Sequence, residues 1–193
     1  MEWKFFEGEP EILSAEWHSN RESAHHLDET IHKERLAFSC ELVKRAIGMG
    51  GKSIVDLGCG DGGLLSLLKY VGVPAWGYDL APANIEYATK VRGVDARYTD
   101  FNSDDIEYGD IAIMTEVLEH MKDPHKVVRE LPSKYLIASS PYNEDDKIHY
   151  EFHLWAWDKV GYDNLITQGG YRIIDKLYSA GWSQIVLAVR DGQ

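Results

Sequence analysis

The stretch Asp56-Leu-Gly-Cys-Gly-Asp-Gly-Gly63 sets a carboxylate two residues ahead of a run of glycines. Glycines at 58, 60 and 63 give the spacing G-x-G-x-x-G, which turns a chain tightly and lets backbone N–H groups approach a ligand. Further acids come at intervals: Asp79 in GYDLA, Asp100 beside Phe101 in YTDF, the run Thr115-Glu-Val-Leu-Glu-His-Met121, and then His153 in HLWAWD. Two ligand classes suit the glycines. A dinucleotide would lay its pyrophosphate against the turn and the helix after it. Asp56 and Asp61 would then hold negative charge within a few ångströms of that anion, which costs kilocalories in a partly dry cleft.

A ligand with positive centres and no phosphate reverses the sign of that interaction. S-adenosylmethionine carries a sulfonium, an ammonium, a ribose and an adenine, and Asp56 attracts its charge. Asp79 lies 21 residues after Gly58, the distance at which a carboxylate accepts hydrogen bonds from ribose hydroxyls, and this suits either cofactor. Asp100 can accept from an exocyclic amine while Phe101 or Leu80 packs on the base. Glu116, Glu119 and His120 stand at i, i+3 and i+4, so on a helical turn they share one face. With His153 they make two carboxylates and two imidazoles, a set able to hold a divalent cation. The competing reading adopts no metal: the carboxylates are hydrogen-bonded at a helix start, and His120 and His153 are the basic groups beside an acceptor.

These residues need elements to position them. Residues 1–26 show no period and read as an irregular arm, with His18, His25 and His26 on it. From 27 to 47, Leu36, Cys40, Val43 and Ile47 recur at helical spacing, and Gly48, Gly50 and Gly51 supply the stop. Over 48–193 short apolar runs alternate with helical stretches: SIVDL, GLLSLLKYV, AWGYDL, ANIEYATKV, DARY, DIAIM, a helix around Val117 to Leu131, and YLIASS. That alternation means parallel strands with helical crossovers. After a helix from Lys159 to Thr167, YRIIDKLY and QIVLAVR are joined by SAGWS, too short for a crossover, so they form a hairpin and one strand runs antiparallel. In such a sheet ligands sit beyond the carboxyl ends of the strands, where the glycine loop, Asp79, Asp100, Thr115 to His120 and Ser139 to Asn143 all fall. The polar and aromatic stretch from Ser140 to Trp157 follows the fifth strand, and its Tyr142, Tyr150, Phe152, Trp155 and Trp157 either wall a pocket or pack the terminal helix onto the sheet.

Taken together, VDLGCGDGGLL, GYDLAPANI, YTDF and DIAIMTEVLEHMKDP resemble the class I S-adenosylmethionine-dependent methyltransferases, over roughly Leu36 to Arg190. The resemblance implies an α/β, Rossmann-like fold: a seven-stranded, mostly parallel sheet of order 3-2-1-4-5-7-6, strand 7 antiparallel, with helices on both faces. It implies S-adenosylmethionine as donor and S-adenosylhomocysteine as product. Asp56, Gly58, Gly60, Asp79, Leu80, Asp100, Phe101 and Thr115 then surround the cofactor. The family also places a basic group near the loop for the methionine carboxylate, and Arg35 is the assignment, because a guanidinium grips a carboxylate through two parallel hydrogen bonds. Glu116-x-x-Glu119-His120 with a later His153-x-Trp155-x-Trp157 is also similar to the small-RNA 3′-terminal 2′-O-methyltransferases, in which a metal grips the terminal ribose hydroxyls.

Composition narrows the field. A chain of 193 residues with 44% hydrophobic content is enough for a single domain. A net charge of −12 supplies no general attraction to nucleic acid, which weighs against RNA as acceptor. The two cysteines, Cys40 and Cys59, form no C-x-x-C pair and read as free thiols. No apolar run reaches the roughly 20 residues of a membrane span, so no membrane partner and a cytoplasmic location are expected. The resulting expectation is methyl transfer from S-adenosylmethionine to a small-molecule acceptor, with His120 and His153 as catalytic residues. A metal-dependent RNA 2′-O-methyltransferase is the alternative, then a nicotinamide oxidoreductase and a non-catalytic cofactor-binding module.

Overall fold

Most strand segments here are apolar at successive positions rather than at alternate ones, the signature of strands covered on both faces. In the computed structural model, which describes residues 1–6, 13–23, 25–100, 105–179 and 181–192, that is their situation. Strands β2 (Ile54–Leu57), β3 (Ala75–Asp79), β4 (Ala96–Tyr98), β5 (Ile111–Thr115), β6 (Tyr135–Pro141), β8 (Arg172–Ser179) and β9 (Ser183–Val189) form one sheet of order β4-β3-β2-β5-β6-β9-β8. Only β9 runs antiparallel to its neighbours, pairing Tyr135 with Val189 on one side and Ser179 with Ser183 on the other. This is the strand order implied by the resemblance.

Adjacent strand residues serve opposite faces. Val55, Leu57, Ala112, Met114, Leu136 and Ala138 join one buried cluster, while Ile54, Ile111, Ile113 and Ile137 join another. Helix α2 (Thr30–Gly48) lays Leu36, Cys40, Leu42, Val43 and Ala46 on the second face. Its start falls three residues later than the periodicity suggests, because Asp28 N–H bonds back to the His25 carbonyl at 2.9 Å and closes a turn first. The remaining helices are α3 (Gly63–Leu68), α4 (Pro82–Lys90), α5 (Pro124–Glu130) and α6 (Lys159–Gln168).

Two expectations need correction. The stretch Val117 to Leu131 is not one helix. It divides into a 3₁₀ turn, Leu118–His120, and α5, because Asp123 caps a new helix through Lys126 N–H and Pro124 occupies its first position. The arm is also not wholly irregular. It contains β1 (Glu2–Lys4), paired antiparallel with β7 (Trp155–Trp157), and a short helix α1 (Ala15–Ser19) capped by Ser14. The Trp157 indole N–H donates to Glu2 Oε2 at 2.7 Å, adding a side-chain tether to that ladder. Among the described residues no helix is long and apolar enough to cross a membrane.

Candidate functional site

The glycine loop leaves β2 and turns into α3 across the carboxyl end of the sheet. Gly58 and Gly60 both have positive φ, 81° and 55°. A Cβ at Gly58 would meet the Val117 side chain at 2.6 Å. Asp79, at the end of the neighbouring β3, accepts from Gly60 N–H at 2.9 Å through one oxygen and from Ala81 N–H at 2.8 Å through the other. It thus ties the loop to the next strand; Asn84 Nδ2 also donates to Oδ1 at 3.2 Å, so the lone pair left for a ligand is on Oδ2. Leu80 comes next, and Asp100 stands two residues beyond β4, both partly buried. Phe101 lies outside the described residues.

Arg35, Asp56, Gly58 and Thr115 line one narrow cleft together with His26, Leu36, Cys59, Asp61, Gly63 and Leu64. Asp56 is buried, and its Oδ1 has no hydrogen-bond partner. Burial first, then the nearby Asp79, pushes its carboxyl up to about 7, with the buried Arg35 guanidinium pulling the other way. A carboxylate in this condition gains from a positively charged ligand and loses from an anionic one. Asp61 contributes nothing to that preference: its carboxylate is ion-paired with Arg92 and accepts from Gly63 N–H at 3.1 Å, so its charge is spent inside the loop. That leaves Asp56 and the nearby Asp79 as the acids at this loop not neutralised by an ion pair among the described residues.

His26 is the cleft residue that periodicity could not find. Its Nδ1 lies 3.6 Å from the position a Gly60 Cβ would take, and Leu27 is similarly placed over Gly63 at 3.4 Å. Burial and the adjacent Arg35 hold its imidazole down to about 3. His26 thus lies over the glycine loop, a position that the reading of residues 1–26 as an irregular arm does not foresee. His25 packs edge-on against Tyr87 of α4 at 4.6 Å.

The second group of side chains surrounds the 3₁₀ turn. Glu116 is the only described non-glycine residue with positive φ, 57°, a conformation that costs of order 1 kcal/mol or more and collects at functional sites. Its N–H reaches the Ser139 carbonyl at 3.1 Å, and its carboxylate accepts from the Ser139 and Ser183 hydroxyls at 2.7 and 2.9 Å. The left-handed turn therefore removes Glu116 from the helical face it was expected to share. Ligand atoms of Glu119, His120 and His153 do converge, all within 4.8 Å of one another. His120 Nδ1 pairs with the Phe152 carbonyl at 3.0 Å, and His153 Nδ1 pairs with Glu144 Oε2 at 2.6 Å. Each ring is thereby fixed through Nδ1, which leaves Nε2 as its remaining ligand atom. Burial, then His153, holds His120 down to about 3, so it is neutral near pH 7.

Glu119 is fully buried, and neither carboxylate oxygen has a partner among the described residues. Burial and the neighbouring Glu116 push its carboxyl well above the usual range. Two imidazoles oriented through their Nδ1 atoms and one uncompensated carboxylate fit a divalent ion, because such a charge supplies what the carboxylate lacks, and the nitrogen content favours Mn²⁺, Fe²⁺ or Zn²⁺ over Mg²⁺. The aromatic stretch serves both purposes: Trp155 and Trp157 are buried and stack parallel at 6.1 Å, whereas Tyr150 and Phe152 reach the outside of the site.

Comparison with known proteins places this geometry. The family model described as "Methyltransferase domain" matches residues 24–165. The ubiquinone biosynthesis O-methyltransferase of Pseudomonas savastanoi pv. phaseolicola is 30% identical over 95 residues, 45% of this chain and 41% of that protein. The matched stretch thus spans about two fifths of such relatives. Among solved structures, magnesium protoporphyrin IX methyltransferase from Synechocystis PCC 6803, crystallised with bound SAH, is similar at TM-score 0.67 and 17% identity, over 91% of this chain and 92% of that one. The methyltransferase domain of a bacterial Hen1 is similar at TM-score 0.59 and 20% identity, covering 83% of this chain and 100% of that one. At these identities the structures speak for the fold.

Proposed function

We propose, since this chain belongs to the methyltransferase domain family and is an S-adenosylmethionine-dependent methyltransferase, that its acceptor is a small molecule methylated on a hydroxyl oxygen. The observation that carries the oxygen is His120, a neutral imidazole whose Nδ1 is fixed by the Phe152 carbonyl and whose Nε2 is free to take a proton. Alkylation makes the hydroxyl proton strongly acidic, so a positioned imidazole, even one held down to about 3, receives it as the oxygen–carbon bond forms rather than beforehand. The O-methyltransferase relatives support the same reading over the part of the chain they match.

S-adenosylmethionine, when bound, supplies a methyl group on a sulfonium that departs as a thioether. The chain's own residues do the rest. Asp56 presents negative charge toward the sulfonium and ammonium, Asp79 receives the ribose hydroxyls, and Asp100, with Leu80, meets the adenine. Gly58 and Gly60 keep the loop free of side chains, Thr115 closes the floor, and Arg35 grips the methionine carboxylate. Acceleration comes mainly from holding the acceptor oxygen in line, since the leaving group is already activated. His153, oriented by Glu144, sits 4.8 Å from His120 between ring centroids and shares the acceptor face. The test is a panel of hydroxylated, aminated and CH-acidic small molecules with radiolabelled methyl donor. Label appearing as a methyl ether is expected, and label transferred only to nitrogen or carbon would overturn the reading.

A second reading is favoured by one specific observation, the two unpartnered oxygens of buried Glu119. Here Glu119, His120 and His153 hold a divalent cation, which would acidify the acceptor hydroxyl as a Lewis acid. Calorimetric titration with Mn²⁺ separates the two. Binding that Glu119→Gln abolishes, with turnover lost in EDTA, supports the metal; no heat and EDTA-insensitive turnover remove it.

A further inference from the structure

Beside the His120 pair the arm builds a groove that the chemistry above does not use. Glu16, Trp17, Asn20, Arg21 and Phe152 line it, and its volume is about 390 Å³. The Trp17 and Phe152 rings stand 5.2 Å apart, and the Arg21 guanidinium lies 4.2 Å from the centre of the first and 5.5 Å from the second. Stacking on ring faces leaves the in-plane N–H donors of a guanidinium free and already oriented. Among the described residues no carboxylate pairs with Arg21. Among those residues Arg190 is also held over a ring without an acid, but its N–H groups are spent on the carbonyls of Val128, Arg129 and Gly169, whereas Arg21 stands at a groove.

The groove is continuous with the reacting centre. Phe152, its inner wall, gives its carbonyl to His120 Nδ1, and Tyr150 stands 5.2 Å from both Phe152 and His153. Trp17, Phe152 and Tyr150 thus form a line of rings ending at the two imidazoles. Glu16 at the rim is exposed, and water screens it from the opposite side. We infer that the acceptor is a flat aromatic hydroxy acid: its ring lies on the Trp17–Phe152 wall, its hydroxyl reaches His120, and its carboxylate is gripped by Arg21. Arg21 is then a specificity residue and takes no part in the transfer. A guanidinium edge matches a carboxylate in two parallel hydrogen bonds, and the apolar faces on either side exclude the water that would compete.

This inference rests on the oxygen-acceptor reading and deepens it. The test compares 3,4-dihydroxybenzoate with its neutral counterpart 3,4-dihydroxybenzamide, both in binding by calorimetry with S-adenosylhomocysteine present and in turnover. The wild-type protein should bind the acid at least about tenfold more tightly, the worth of one charge-assisted bidentate pair in a partly exposed site. Arg21→Gln should erase that preference through KM with kcat little changed, and Arg21→Lys should restore part of it. A structural role alone would lower binding of both probes together and would not be rescued by lysine. Equal binding of acid and amide by the wild type, or no binding of either, overturns the subsite. Turnover of hydroxyl acceptors without preference for acids overturns the subsite and leaves oxygen methylation standing. Label on nitrogen or carbon alone removes the oxygen reading itself.

Discussion

The cofactor side and the acceptor side of this cleft are built on different electrostatic terms. On the cofactor side most acids are internally satisfied: Asp61 is held by Arg92, and Asp79 by the backbone of Gly60 and Ala81 and by Asn84; among the described residues Asp56 Oδ1 and Arg35 Nε are left open as a charge-complementary pair of exceptions. On the acceptor side one acid is left wholly unmatched. Glu119 has no partner among the described residues, while Glu116, in a left-handed turn, and the two imidazole rings that face each other edge to face are each hydrogen-bonded. A satisfied loop is a rigid cradle for one ligand, while a buried carboxylate with neither oxygen partnered stores a demand for charge that a substrate or ion must meet. The contrast also tracks chain connectivity. The cradle is drawn from consecutive βα turns, and the acceptor side is assembled from the 3₁₀ turn, the 142–155 stretch and the arm.

The strongest test of this contrast is His120→Ala. It should lower kcat by about 10²- to 10³-fold, the usual worth of a positioned base, with affinity for S-adenosylhomocysteine unchanged in calorimetry. A parallel loss of affinity would mean that the two sides are not separate. Asp79→Ala should do the reverse, weakening S-adenosylhomocysteine by about 100-fold, or nearly 3 kcal/mol, while circular dichroism reports a folded domain. Retained affinity would show that the ribose is not there.

Asp56→Asn sharpens the comparison through pH. The folded-state carboxyl is raised from 3.8 to about 7, so the native state binds the proton more tightly than the unfolded chain and the wild type loses stability as pH rises between those values. Above pH 7 the ionised carboxylate costs up to roughly 4 kcal/mol, and the asparagine variant should melt several degrees higher at pH 8, with the difference gone at pH 4. The same carboxylate should make wild-type affinity for S-adenosylmethionine rise with pH up to about 7 and then level off, and the variant should lack that slope. A flat wild-type profile would sink the role given to Asp56. The smallest effect is expected of Trp157→Phe, which removes the indole bond to Glu2 and should cost about 1 kcal/mol. A melting shift of a few degrees, with acceptor KM raised more than cofactor affinity is lowered, is the outcome that ties the arm to the acceptor side.

Sequence reasoning reached the cradle because its signals are local. A carboxylate ahead of glycines, an acid at the end of the next strand, and a five-residue link that only a hairpin can use are all legible within a few positions, and the strand order agrees with them. The acceptor side was legible in its residue types and much less in its arrangement. The E-x-x-E-H spacing suggests one helical face, but a positive φ at Glu116 and a fresh cap at Asp123 are backbone decisions that side-chain periodicity does not encode. Glu144 lies in an acidic run like any solvated turn, and only the fold brings it to His153. The β1–β7 ladder joins residues about 155 apart, and three-residue strands carry no period to read. Trp155 and Trp157, equally suited to a pocket wall, are drawn into the core by that same ladder.

The arm is fastened at both ends, by β1 on β7 and by α2 on the sheet, and between them it passes over the glycine loop at His26 and borders the acceptor groove at Trp17. With the acceptor seated as proposed beside Trp17, the expected consequence is a timetable: donor in before acceptor, methylated product out before the spent nucleoside, and steady-state inhibition by that nucleoside competitive against the donor alone; inhibition competitive against the acceptor would overturn it.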